Sequence, residues 1–359
     1  MSIEETFAKS EKTDAILLVT EYCFTAETPP ARKPKSEKPV KLHVNKALLS
    51  YHSDYFKKLF EMNSGNEFPI EVNSLNVFAV ALSQIQNNPM KFEYWDYDRI
   101  VGMIDEFQLP AAKRHLELFL ISQNFHRNDM IRRADKYKMK ELLKHALPLL
   151  AAEKEFSSFS KDTLSNETAV LLFNRMMEIR HRMPPSKTVS EPDYNSVFAK
   201  TDETDAILVV DGKKLHVNKA VLSYYSDYFK TLFESEFKEK SMNEIPIEDV
   251  DFESFASFLS LVLKDPIMPT VNNAEKLLEL ADRFLLPAAK CHVKYVLLPS
   301  SVDTLNKIRI ADKFQLNDIL ENTLWKFRDV ARNQNVLENP IYQSLSMETK
   351  AKLFFQYIK

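Results

Sequence analysis

With 359 residues, 45% apolar and 28% charged, and a net charge of −3, the chain has ordinary soluble globular composition and room for two domains. Wholesale disorder and a general basic footprint for nucleic acid are excluded. No apolar run approaches the roughly 18–20 residues that span a bilayer, and Met1-Ser2-Ile3-Glu4-Glu5 lacks the basic start and apolar stretch of a signal peptide.

Followed from its start, the chain repeats itself. Residues 41–61 return as residues 214–234 with 18 of 21 positions identical, where chance would leave about one or two. Phe7-Ala8-Lys9 and Asp14-Ala15-Ile16-Leu17 return as Phe198-Ala199-Lys200 and Asp205-Ala206-Ile207-Leu208 at a spacing of 191, against 173 for the long block. The first copy therefore holds 18 extra residues; they fall within 20–39, where Pro29, Pro30, Pro34 and a polar composition predict an exposed loop. Pro69-Ile70-Glu71, Leu109-Pro110-Ala111-Ala112-Lys113 and Ala134-Asp135-Lys136 all return 177 residues later, which places four extra residues of the second copy between Glu234 and Pro246. The match persists to Leu164-Ser165 and Leu345-Ser346. The expected organisation is a first domain at 1–122 with its long loop at 20–39, a helical tail at 123–180, a Pro-containing linker at 181–195, a second domain at 196–298 and a second tail at 299–359.

The elements of one unit read most clearly in the second copy, whose first hairpin is uninterrupted. Ala206 to Val210 is a short apolar run, Asp211-Gly212 a turn, and Lys214 to Val217 a second strand. Asn218 suits a helix N-cap, with Val221, Leu222 and Tyr225 as the apolar face behind it. Ser226-Asp227 starts the next helix in the same way, carrying Tyr228, Phe229, Leu232 and Phe233. Ile245-Pro246-Ile247 is a third short strand. Phe255, Phe258, Leu259 and Val262 stand at i, i+3, i+4 and i+7 of an amphipathic helix, and Phe78, Ala81, Leu82 and Ile85 are their counterparts. Leu277, Leu280, Ala281 and Phe284 make another helix, Pro287 opens the next, which carries Val293, Val296 and Leu297, and four more helical stretches are expected between Val302 and Tyr357. The fold class is α/β of the helix-rich α+β kind, two small sheets each flanked by helices.

Together these residues resemble the BTB/POZ domain. The carriers are Asp205 and Leu208-Val209-Val210 before the hairpin, the His216…Lys219-Ala220-Val221-Leu222-Ser223 block, Ser226-Asp227-Tyr228-Phe229, Leu232-Phe233, and Leu277-Leu278-Glu279-Leu280-Ala281-Asp282-Arg283-Phe284 followed by Cys291. The set occurs twice in order and covers somewhat over half of the chain. The tails look like the helices that follow BTB domains in ubiquitin-ligase adaptors, especially the group that also carries MATH domains; no MATH, kelch or zinc-finger segment is recognised. The resemblance implies a protein-binding module that dimerises and docks the class-three cullin scaffold, presenting an unknown substrate protein to a ligase. It implies no enzyme, no cofactor, no nucleic acid and no membrane. The alternative is an oligomerisation or transcription co-regulator scaffold with no ligase link.

Cullin docking in the family uses a hydrophobic-x-Glu motif after the Leu-Phe helix. The second copy has Phe237-Lys238-Glu239 there, and the first has Met62 to Glu67 without the pattern. The implied contact set is Phe237 and Glu239 with Tyr228 and Phe233, against the bland reading that Phe237 packs on its own domain. The family's dimer also uses a helix ahead of the first strand, and the stretch Thr6 to Ser10 is short for one. Pairing of the tethered copies with each other and pairing with another chain both stay open.

Asp205 with Lys219, and Asp14 with Lys46, match a charged pair that lines a partner-binding groove in some BTB transcription regulators; read from the residues alone they are ion pairs holding strand to helix. His43 and His216 are expected as half-buried strand residues. Cys291-His292 lacks metal-site spacing, and Cys291 reads as a buried thiol, since the first copy has Arg114 in its place. Cys23 and Cys291 cannot build a disulfide framework, which points to a reducing, intracellular setting, cytoplasmic or nuclear. The only glycines, Gly65, Gly102 and Gly212, form no phosphate-cradling loop, and no catalytic set is assembled. Arg32, Lys33, Lys35, Lys38 and Lys41 form a basic stretch, read as a solvated loop or a docking or localisation patch. Phe173, Met176 and Met177 are expected to pack within the first tail.

Overall fold

The structure, a computed structural model, describes residues 2–24, 32–35, 38–92, 97–123, 125–159, 164–181, 192–234, 244–333 and 335–357. A single helical turn, α1 (Ile3–Thr6), leads into β1 (Ala15–Phe24), whose alternate residues Ala15, Leu17 and Val19 are buried, as a strand with one face on a core requires. Its far end pairs with β2 (Arg32–Pro34), and its length pairs antiparallel with β3 (Val40–Val44) and parallel with β4 (Glu67–Val72). The segment 20–39 is therefore not all loop. Residues 20–24 prolong β1, because Thr20, Tyr22 and Phe24 favour the extended backbone, and Arg32–Pro34 returns against them. Within the basic stretch, Lys35 bonds Glu21 and Lys41 lies 3.2 Å from Glu67, so these two cations already serve the sheet.

Helices α2 (Lys46–His52), α3 (Asp54–Met62), α4 (Leu75–Ser83), α5 (Tyr97–Glu106) and α6 (Pro110–Ser122) cover the first sheet, and α7 (Arg127–Lys136), α8 (Lys140–Ala146) and α9 (Asn166–Arg180) form its tail. The second copy repeats the plan: α10 (Tyr194–Val197), β5 (Ala206–Val210), β6 (Lys213–Val217), α11 (Lys219–Tyr225), α12 (Asp227–Glu234), β7 (Glu244–Pro246), α13 (Phe252–Ser260), α14 (Ala274–Arg283) and α15 (Pro287–Leu297). Its tail is α16 (Thr304–Lys313), α17 (Asn317–Asn333), α18 (Pro340–Ser344) and α19 (Met347–Tyr357), the four stretches expected. β5 is the central strand, antiparallel to β6 and parallel to β7, in the register Leu208 to Leu215 and Leu208 to Ile245. Asp211 and Gly212 both take positive φ, 48° and 74°, as a two-residue hairpin turn of this hand demands.

The expected caps form. Asn45 accepts from the Leu48 amide at 2.8 Å and Asn218 from the Val221 amide at 2.9 Å; each amide group also donates back at 2.6 Å, to the carbonyls of Lys12 and Glu203. This fixes the loop before the first strand to the helix after the second. Phe255, Phe258, Leu259 and Val262 are buried, as are Phe78, Ala81, Leu82 and Ile85. Four helix ends share a device not foreseen from the sequence. Gln108, Lys138, Leu285 and Gln315 take left-handed φ of 48–55°, and the amides of Leu109, Met139, Leu286 and Leu316 reach back to Ile104, Ala134, Ala281 and Ala311. The residue after each left-handed turn is apolar and buried, which accompanies this type of helix end.

One packing expectation fails. Phe173 of α9 is 56% exposed, while its neighbour Leu172 is buried at 5%. Successive helical residues lie about 100° apart, so the face that carries Leu172 inward turns Phe173 outward. Met176 and Met177 are half-buried.

Candidate interaction surfaces

The two copies pack on each other through equivalent elements, α2 against α11 and α6 against α15. At the centre, His52 Nε2 lies 3.1 Å from the hydroxyl of Tyr225, which donates to the carbonyl of Ile85 at 2.6 Å. Residues 52 and 225 hold the same place in the repeat. So do His115 and His292, whose rings stack with centroids 5.0 Å apart. A residue meeting its own counterpart is the mark of an isologous interface, so a pseudo-twofold axis runs between these two pairs. Leu48 of the first copy is buried in the second copy's core.

Charged contacts ring the seam. Lys12 reaches Asp227 and the Tyr224 carbonyl, both at 3.1 Å. Glu203, in the place of Lys12, meets Lys57 at 3.4 Å and Lys264 at 2.8 Å. Arg114 bridges to Asp265 at 3.0 Å, and Lys91 to Asp318 at 3.3 Å. The pairing left open by the sequence is thus present within one chain.

The seam's interior is polar. His52, Tyr225, His115 and His292 are each at most 8% exposed and surround a cavity of about 20 Å³ that Cys291 also lines. Burial lowers the pKa of His52 to about 3, helped by nearby Lys264, and that of His292 to about 4. His115 also falls well below the ordinary histidine value, by burial first and then by its neighbours His292 and Lys294. Cys291, expected as a buried thiol, is half-buried; its partial burial still raises the thiol pKa, the direction of an inert rather than a reactive cysteine. Among the described residues no group of three His, Cys, Asp or Glu side chains is placed to hold a metal ion. Sequence reasoning passed over His52 and His115 and took Tyr225 only as part of the apolar face of α11. The available signal was polar residues at matched places on otherwise apolar helical faces.

The residues singled out from sequence divide. Phe237 and Glu239 lie outside the described residues. Tyr228 is half-buried and edge-on to Phe284 at 4.9 Å. Phe233 is only 8% exposed and stacks on Phe229, so its ring supports the end of α12 from beneath. Asp205 and Lys219 are adjacent, but not as an ion pair. The carboxylate accepts from the Lys219 backbone amide at 2.7 Å, and Asp14 does the same for Lys46. The ammonium groups turn elsewhere, Lys46 to Gly65 and Asn66 at 2.9 Å and Lys219 over the Phe233 ring. A carboxylate at the start of a helix satisfies a free amide and favours the helix dipole, which outcompetes a solvated lysine head. His43 and His216 are half-buried on β3 and β6, as expected. No described helix is long and apolar enough to cross a membrane.

Comparison with known proteins agrees with this geometry. The BTB/POZ domain family matches residues 35–124 and 194–301, more than half of the chain. A BTB/POZ domain-containing protein of Caenorhabditis elegans is 32% identical over 180 residues, covering 49% of this chain and 56% of that protein. The BTB and MATH domain-containing protein 38 of the same organism is 28% identical over 190 residues, 52% of this chain and 49% of its own. Kelch-like protein 22 of Mus musculus is 28% identical over 120 residues, 33% of this chain and 19% of that protein. The chain spans about half the length of the first two relatives. With two copies of the fold, each matched by the family, the chain belongs to the BTB/POZ domain proteins.

Proposed function

We propose that the chain is an adaptor that docks a class-three cullin scaffold through its second BTB domain and leaves the first domain and the tails to engage a substrate protein. The observation that carries this reading is the asymmetry after the Leu-Phe helix: Phe237-Lys238-Glu239 stands in the four-residue insertion of the second copy, and the first copy has no counterpart. The resemblance to the MATH-BTB group supports it, as does pairing in cis, which engages the faces that would otherwise recruit a second BTB chain. Asp205 with Lys219 and Asp14 with Lys46 stand, on this reading, as helix-start anchors that hold α11 and α2 in place.

The test is calorimetric titration of the purified cullin N-terminal region into the full chain. Wild type binds; Phe237→Ala with Glu239→Ala loses about 30-fold or more, the scale of a hot-spot anchor. Met62→Ala, at the 84% exposed end of α3 in the first copy, binds as wild type does. No binding by the wild-type chain overturns the adaptor reading and leaves a BTB scaffold without a ligase link.

A further inference from the structure

The 21-residue block shared by the two copies differs at three positions, Leu48 against Val221, His52 against Tyr225, and Lys58 against Thr231. All three differences lie at the seam or beside it. Leu48 is buried in the second copy's core, His52 bonds Tyr225, and Lys58 lines a cleft of about 640 Å³ whose walls include His52 and, from the second copy, Lys264. The 18 identical positions include the residues each domain needs for itself, such as the capping Asn45 and Asn218 and the core Phe56 and Phe229. Divergence in this block has gathered where the copies meet.

We propose that His52 and Tyr225 make the two copies fit each other better than either fits a second copy of itself, so that the seam is a heterotypic lock holding the chain paired in cis. The Tyr225 hydroxyl has one proton, and the Ile85 carbonyl, which can only accept, takes it at 2.6 Å. His52 must then donate from Nε2 to the same hydroxyl at 3.1 Å, which leaves its Nδ1 bare; that nitrogen has no partner among the described residues. The chain of bonds needs one phenol and one imidazole. Two imidazoles at the axis supply no hydroxyl to reach the carbonyl across the seam. Two phenols bring a second, larger ring into a site already closed, with the cost that overpacking brings.

A second pair of positions discriminates in the same sense. Arg114 meets Asp265 across the seam at 3.0 Å; the counterpart of Arg114 is Cys291 and that of Asp265 is Asn88. Self-pairing of the first copy would set Arg114 against Asn88, and self-pairing of the second would set Asp265 against Cys291. Neither restores a cation facing a carboxylate.

The experiment uses the full chain in a Cys23→Ser background and reads the seam through Cys291, a half-buried residue that lines the cavity beside His52 and Tyr225. The probe is a soluble maleimide. His52→Tyr puts two phenols at the axis and Tyr225→His two imidazoles; each raises the labelling rate of Cys291 about tenfold or more. The swapped double variant, His52→Tyr with Tyr225→His, re-forms one phenol beside one imidazole and labels within about threefold of the parent. Tyr225→Phe keeps the ring and removes the hydroxyl, and labels at an intermediate rate. Light scattering across a hundredfold concentration range of order finds the parent monomeric. Labelling of either single variant at the parental rate, a double variant as fast as the faster single, or a parent that forms exchanging dimers overturns the proposal.

Discussion

The hydroxyl of Ser226 donates to the carbonyl of Phe284 at 2.6 Å while accepting from the amide of Phe229 at 3.1 Å. Ser53 makes the same two bonds, to Phe107 at 2.7 Å and from Phe56 at 3.1 Å. One buried hydroxyl thus starts one helix and satisfies the end of another, since the Phe284 carbonyl lies past the last turn of α14. Ser226→Ala removes the cap and strands a buried carbonyl together. Urea unfolding should show a loss of about 2–3 kcal/mol, more than a surface cap alone would give. A loss under about 0.5 kcal/mol would mean that the Phe284 carbonyl finds another donor.

Leu285 offers the opposite sign. Its φ is 48° and its side chain is 56% exposed, so a γ-branched residue sits in the left-handed region without packing to justify it. Leu285→Gly relieves the contact between Cβ and the carbonyl and gives up little burial. The unfolding midpoint in urea should rise, by about 0.5–1 kcal/mol after the entropy of the freer glycine is subtracted. An unchanged or lower midpoint would show that the exposed leucine side chain stabilises the turn.

The duplicated fold was legible because its signals are local. Alternation in Ala206 to Val210, the Asp211-Gly212 turn, the Asn218 cap and the spacing of Phe255, Phe258 and Leu259 each name an element without reference to the rest of the chain. Three things were not legible, for different reasons. The short β2 depends on a partner some ten residues away, and proline in its sequence reads as loop. The left-handed ends at Gln108, Lys138, Leu285 and Gln315 carry no glycine, so the usual marker of that conformation is missing. The seam at His52 and Tyr225 joins faces 173 residues apart, and nothing within α2 or α11 says that the polar tip of its buried face meets another domain. The Asp205–Lys219 pairing was half legible: the neighbours are right, but charge pattern alone cannot tell a side-chain ammonium from the backbone amide of the same residue.

Glu275 ties the domain to its tail. Both its oxygens meet the guanidinium of Arg309 at 2.8 Å, and Lys313 adds a contact at 3.2 Å. Hydrogen bonds from Arg309 dominate, burial opposes them, and with Lys313 they hold the carboxyl at about 2, below its ordinary 4.5. A depressed folded pKa contributes stability above the unfolded value, and that contribution is lost as pH falls from about 4.5 toward 2. The side chain is 34% exposed, so solvent screening trims the contribution to about 1 kcal/mol. Glu275→Gln should cost that amount in unfolding experiments at pH 7 and become neutral by pH 2. A cost that persists unchanged at pH 2 would assign it to packing and not to charge.

The seam histidines give the chain an acid response in a window that carboxylates do not reach. His52 faces the Tyr225 hydroxyl and feels Lys264, and His115 faces His292 and feels Lys294, so among the described residues the charges acting on these two rings are positive. The folded state holds His292 neutral down to about 4 and His52 to about 3, while the unfolded chain takes up these protons near 6.5. Between those values the unfolded state binds more protons. Stability is therefore full above about 6.5 and falls with pH below it, by about 1.4 kcal/mol per pH unit for each histidine that stays neutral. Urea unfolding between pH 6.5 and 5 reads this slope together with that of His145, which burial also lowers, while Glu275 stays ionised there. His52→Gln should reduce the slope by about one histidine's share, with its loss of stability greatest at pH 7 and shrinking toward pH 5. An unchanged slope would mean that water reaches the His52 ring in the folded chain and that the seam opens far more readily than its packing implies.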